Sequence, residues 1–194
     1  MRGRHKGLSF YKRRKKISAG TVREIFSWLC GIAISGFLAC AVVYVLGMST
    51  SMIGVSMEPV LQNGEQVLIN RYAYLLTKPA KGDVISFLPN GNRNAHYYIK
   101  RVVAVPGDTV QIIDGRLHVN GVQVQEEGFD KMADAGIAEN PLTLGTDEYF
   151  VLGDNRNDSE DSRSANIGTV SGKNIIGKVW FKMGNETEGM GFVK

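Results

Sequence analysis

Between Ile25 and Met48 the chain carries no charged residue: IFSWLCGIAISGFLACAVVYVLGM. This run shows no polar face, so it predicts a helix surrounded on all sides by apolar material. As a helix its 24 residues would extend about 36 Å at 1.5 Å per residue, enough to cross a hydrocarbon layer of about 30 Å. Trp28 and Tyr44 fall near its ends, where amphipathic rings favour the membrane interface. A buried core helix is seldom apolar all round. A cleaved leader has a shorter apolar region of about 7–15 residues, although Ser49-Thr50-Ser51 has the small side chains of a cleavage site. The pattern therefore predicts an uncleaved membrane anchor over 25–48.

After Met48 the period changes. Short runs rich in β-branched residues recur at 66–69, 83–88, 97–105, 109–113, 148–152 and 175–183. Asp114-Gly115 and Asn120-Gly121 separate TVQII, RLHV and VQV, which reads as a meander with tight turns. Residues 125–147 are polar, acidic and broken by Gly and Pro, and they read as a small insertion with at most one short helix. The expected architecture is mainly β: antiparallel sheets in a unit spanning 49–194, behind one membrane helix.

Charge sharpens this division. Of 23 Lys and Arg, nine lie within residues 1–23, which hold no acid; the remainder carries 14 bases against 19 acids. The basic tail, 1–24 with its run Lys12-Arg13-Arg14-Lys15-Lys16, predicts a cytoplasmic N-terminus and an extracytoplasmic remainder. A folded part with more acids than bases also argues against a nucleic-acid partner. Both cysteines, Cys30 and Cys40, lie in the apolar run, so the rest can form neither disulfides nor a thiolate zinc site.

Three segments carry candidate chemistry: GVSMEPVL at 54–61, YIKRVVAVPGD at 98–108 and GDNRNDSEDSR at 153–163. The third lacks the acidic spacing and closing glutamate of an EF-hand, so no metal site is expected. Lys100 stands in the most apolar strand of the chain. If both faces of that strand are covered, the ammonium is buried, its pKa falls, and a neutral amine becomes available to activate a serine hydroxyl. His96 is a rival base, four residues earlier on the same expected strand face; His5 and His118 lie in the tail and a hairpin. On residue chemistry alone the choice between Lys100 and His96 stays open.

These segments, together with PxxGDV at 79–84 and the apolar run, resemble the type I signal peptidases of bacteria, membrane-bound serine proteases with a lysine base. The resemblance implies Ser56 as nucleophile and Lys100 as general base, with the Ser56 backbone N–H helping to hold the oxyanion. It implies that Ser159 hydrogen-bonds and orients the lysine amine. It further implies a supporting ion pair, Asp161 with Arg163, and a second charged pair, Asp154 with Arg101. It implies a mainly-β fold of antiparallel sheets, no cofactor, a monomer at the membrane lipid, and signal peptides of exported preproteins as substrates. An inactive, membrane-tethered homologue serving as a binding module is the alternative. Val60 and Glu65 stand where Thr and Asp are common, and Gly54 where some members place a serine whose hydroxyl assists the oxyanion.

Overall fold

A computed structural model describes residues 19–46, 48–92, 94–125, 128–184 and 189–193. The basic run at 12–16 and His5 lie outside these residues. The chain divides into two compact units, the first ending at Ala41 and the second beginning at Val42. The helix α1 spans Ala19–Leu46. Its segment Gly20–Val42 has a mean hydropathy of 2.1 and none of it is buried in protein. Phe26, Trp28 and Phe37 are each at least 67% exposed, an arrangement that suits a helix only in an apolar solvent.

Twelve strands follow among the described residues: β1 (Met48–Ser51), β2 (Gln66–Asn70), β3 (Val84–Phe87), β4 (Tyr98–Ala104), β5 (Thr109–Ile113), β6 (Arg116–Val119), β7 (Val122–Gln123), β8 (Leu142–Thr143), β9 (Glu148–Leu152), β10 (Val170–Ser171), β11 (Ile175–Lys182) and β12 (Gly191–Phe192). Met48, which closes the apolar run in the sequence, belongs to β1 because its backbone pairs with Ile69 of β2. The mainly-β architecture expected from the sequence is present, in two antiparallel sheets. The larger has the order β1-β2-β11-β3-β4-β9-β10, with β12 added to β11; the smaller has the order β7-β6-β5-β8.

The alternation of each strand decides its place. In β2, Val67 and Ile69 are buried on one face, and they join Met52, Met57, Leu61, Val84, Ile99 and Val179 in one core cluster. All four residues of β3 are buried, as expected of a central strand covered on both faces. In β4 the ladder to β9 shifts register between Val102 and Ala104. The bulge turns the end of β4 toward the second core, where Val103 and Ala104 pack with Val110, Ile112 and Leu117. Asp114 and Asn120 adopt positive φ at the two hairpin turns, and short polar side chains tolerate that conformation best.

The 125–147 segment packs against the second sheet. Its only regular helix among the described residues is a single 3-10 turn, Gly136–Ala138, while β8 pairs with β5. Met132, Ala138 and Leu144 are buried in the second core, so the segment closes that sheet.

Candidate active site

Ser56 lies in the turn that follows β1. Met57 and Leu61, each 0% exposed, anchor the turn below, and Leu61 N–H donates to Met57 O at 2.9 Å. Gly54 sits at φ 85°, and its N–H donates to Asn63 Oδ1 at 2.9 Å. The Ser56 N–H has no hydrogen-bond partner among the described residues, so it is free to donate to a bound oxygen.

Lys100 comes from the centre of β4, paired with Ile85 of β3. Both strands are covered, and Lys100 is only 4% exposed. Its Nζ lies 2.5 Å from Ser56 Oγ. Burial, which disfavours the ammonium, lowers its pKa from 10.5 to about 8 against the opposing pull of Asp161, Glu160 and Asp154. His96 is exposed and precedes β4, which starts at Tyr98. It is therefore not on a strand face with Lys100, and Lys100 rather than His96 makes the contact with Ser56.

The loop 153–163 packs behind this pair. Asp161 Oδ1 and Oδ2 each accept from Arg163, Nε and Nη2, at 2.9 Å; Arg163 Nη2 also donates to Arg156 O at 2.5 Å. Arg101 grips Asp154 with two bonds of 2.7 and 2.6 Å, the bidentate geometry in which guanidinium–carboxylate pairs are strongest. Both charged pairs anticipated on the resemblance are thus formed. Ser159 is placed differently: its hydroxyl donates to Asp161 Oδ2 at 2.8 Å, while Lys100 bonds to Ser56. An ionised carboxylate is a stronger acceptor than a neutral amine, and it captures the serine proton.

Two residues not singled out in the sequence close the arrangement. A Cβ on Gly153 would lie 2.5 Å from Ser56 O and collide with the Ser159 side chain, so only glycine lets the loop approach the nucleophile turn. Asn155 donates from its backbone N–H to Ser56 O at 3.1 Å and from Nδ2 to Val55 O at 3.3 Å. Their signal lay in the motif GDN at 153–155, but the close approach it serves is tertiary. Beside Ser56 and Lys100 runs a groove of about 380 Å³, whose walls include Ile53, Val55, Tyr98, Ile99 and Glu160. No group of His, Cys, Asp and Glu among the described residues could hold a metal ion.

The chain has relatives among known proteins. Residues 25–183 match the family described as signal peptidase, peptidase S26. Signal peptidase I P of Bacillus subtilis subsp. natto is 31% identical over 176 residues, covering 87% of this chain and 91% of that protein. Signal peptidase IB of Staphylococcus aureus strain COL is 32% identical over 178 residues, covering 82% and 90%. A crystal structure of a signal peptidase I from Enterococcus faecalis is 31% identical and covers 53% of this chain and 97% of that one, with a TM-score of 0.44. The chain belongs to the signal peptidase family, peptidase S26. It is a membrane-anchored member, with one helix among the described residues, near the N-terminus, long and apolar enough to cross a membrane.

Proposed function

We propose that this chain is the endopeptidase that removes signal peptides from exported preproteins, with Ser56 as nucleophile and Lys100 as general base. The observation that carries the reading is the 2.5 Å contact between Lys100 Nζ and Ser56 Oγ inside a buried strand pair. The neutral amine accepts the Ser56 proton as Oγ attacks the scissile carbonyl. The carbonyl oxygen becomes an oxyanion beside the unpartnered Ser56 N–H. The ammonium then protonates the leaving amine, and an acyl-enzyme remains. A water gives its proton to the same amine and attacks the ester, which restores Ser56. Asp161–Arg163 and Asp154–Arg101 hold the loop at 153–163 against the Ser56 turn. Ser159 acts through Asp161. The apolar helix that ends at Leu46 is the anchor, with the basic tail cytoplasmic and the β unit that starts at Met48 outside.

The direct test incubates the detergent-solubilised protein with a preprotein and reads the new N-terminus by mass spectrometry. The expected product starts one residue beyond a small side chain; an intact preprotein would sink the proposal. The pH dependence is a second expectation. Catalysis needs the deprotonated amine, and burial lowers the Lys100 pKa to about 8. Deprotonation increases with pH, so kcat/KM should rise through that value on its acidic limb. An acidic limb governed only by a group near 4, the range of carboxylates, would move the base from Lys100 to an acid.

A further inference from the structure

Four carboxylates stand on the loop at 153–163. Two of them are neutralised by arginines, Asp154 by Arg101 and Asp161 by Arg163. The other two, Asp158 and Glu160, are exposed and line the groove beside Ser56 and Lys100. Among the described residues no Lys or Arg forms an ion pair with Glu160. Its carboxylate is nevertheless held in place, because the Tyr98 hydroxyl donates to Oε2 at 3.3 Å. Burial first, and then the charge of Glu160, push the Tyr98 hydroxyl above its usual range, so it stays protonated and remains a donor. Glu160 is thus a fixed negative charge that faces the groove without a counter-ion.

Its place relative to the reacting groups follows from β4. Tyr98 and Lys100 lie two residues apart on one face of that strand, and Lys100 Nζ is 5.6 Å from the centre of the Tyr98 ring. That ring bridges the Lys100 amine and the Glu160 carboxylate. The field of Glu160 reaches the amine: burial lowers the Lys100 pKa, and Asp161 and then Glu160 oppose it most strongly. A chain lying extended in the groove advances about 3.3 Å per residue, so the carboxylate meets a side chain within about three residues of the scissile bond. Apolar walls such as Ile53, Val55 and Ile99 lower the local dielectric and strengthen a charge contact there. We propose that Glu160 is a specificity-determining residue: it forms an ion pair with a Lys or Arg side chain of the substrate within about three residues of the cut, and it repels an acidic one. The inference rests on the peptidase reading and adds a charge preference to it.

The test uses the detergent-solubilised full chain and short peptides built on one cleavable sequence. Alanine, lysine or glutamate is placed in turn at each of the three positions on either side of the cut, and kcat/KM is read from the fragments. At one position lysine should exceed glutamate by about tenfold, the combined size of one partly exposed ion pair gained and one like-charge contact avoided. The difference should lie in KM, since the contact is made equally before and during the reaction, and it should shrink at high salt. Glu160→Gln keeps an acceptor for Tyr98 and removes only the charge, so it should bring that ratio close to one; Glu160→Lys should invert it. A merely structural role would change all the peptides alike and leave the ratio as it was. Ratios near one at every position in the unaltered protein, with alanine peptides still cut, overturn the inference and leave the peptidase reading standing. A preference that survives Glu160→Gln and disappears in Asp158→Asn overturns the assignment to Glu160. Failure to cut any peptide overturns the peptidase reading itself, and the inference with it.

Discussion

Ser56→Ala and Lys100→Ala should each lower kcat/KM by about 10⁴-fold or more, the range seen when a member of a nucleophile–base unit is removed. Lys100→Arg should not rescue, because a guanidinium remains protonated at any accessible pH and cannot take the Ser56 proton. Circular dichroism and a urea midpoint would establish that each variant is folded. Lys100→Met serves as a volume-matched control, since a residue 4% exposed leaves a cavity when cut to alanine. His96→Ala should keep nearly full activity, because His96 sits in solvent at the groove margin. Substantial activity in Lys100→Ala, lost only on adding His96→Ala, would reassign the base. Labelling of Ser56 by an acylating inhibitor separates an active enzyme from an inert binding module.

The largest expected effect on stability lies behind the site. Asp161 is 1% exposed and accepts from Arg163, Ser159 and Gly153 at once. Asp161→Ala leaves the Arg163 guanidinium, 8% exposed, without its counter-charge in the interior. Breaking such a pair from one side costs about 3–5 kcal/mol, read as a fall in the urea midpoint. Replacing both partners with apolar residues, Asp161→Leu with Arg163→Met, should recover much of that loss, because no uncompensated charge remains buried. Activity should stay low in the double variant, since the loop that braces the Ser56 turn has lost its fixed shape. A midpoint unchanged by Asp161→Ala would show that the pair contributes nothing to the fold.

Strands were legible where alternation and turn chemistry agreed, as in 109–123, where Asp114-Gly115 and Asn120-Gly121 fix a three-stranded meander that includes even the two-residue β7. The strands β8, β10 and β12 have two residues each, too few to display any period. The burial of Lys100 followed from its apolar neighbours and needed only the condition that both faces of its strand be covered. The Ser159 partner was not legible from residue type, because a hydroxyl beside both a lysine and a carboxylate is settled by geometry and acceptor strength. His96 looked equivalent to Lys100 only while a strand was assumed to reach back to it; β4 starts two residues later.

One feature of the sheet bears on when activity first appears during synthesis. In the ladder, β2 reaches β3 only through β11, the last long strand among the described residues. The nucleophile turn thus belongs to one flank of the sheet and the lysine strand to the other, and the seam between them is filled by residues 175–182. Pairings this distant in sequence are slow to form, whereas the local meander at 109–123 closes early. A nascent chain that has exposed Ser56 and Lys100 but not β11 has both reactive groups without the ladder that registers them. Ser56 and Lys100 are therefore registered against one another in the ladder only once residues 175–182 have joined the sheet, and a chain halted short of β11 should be inactive.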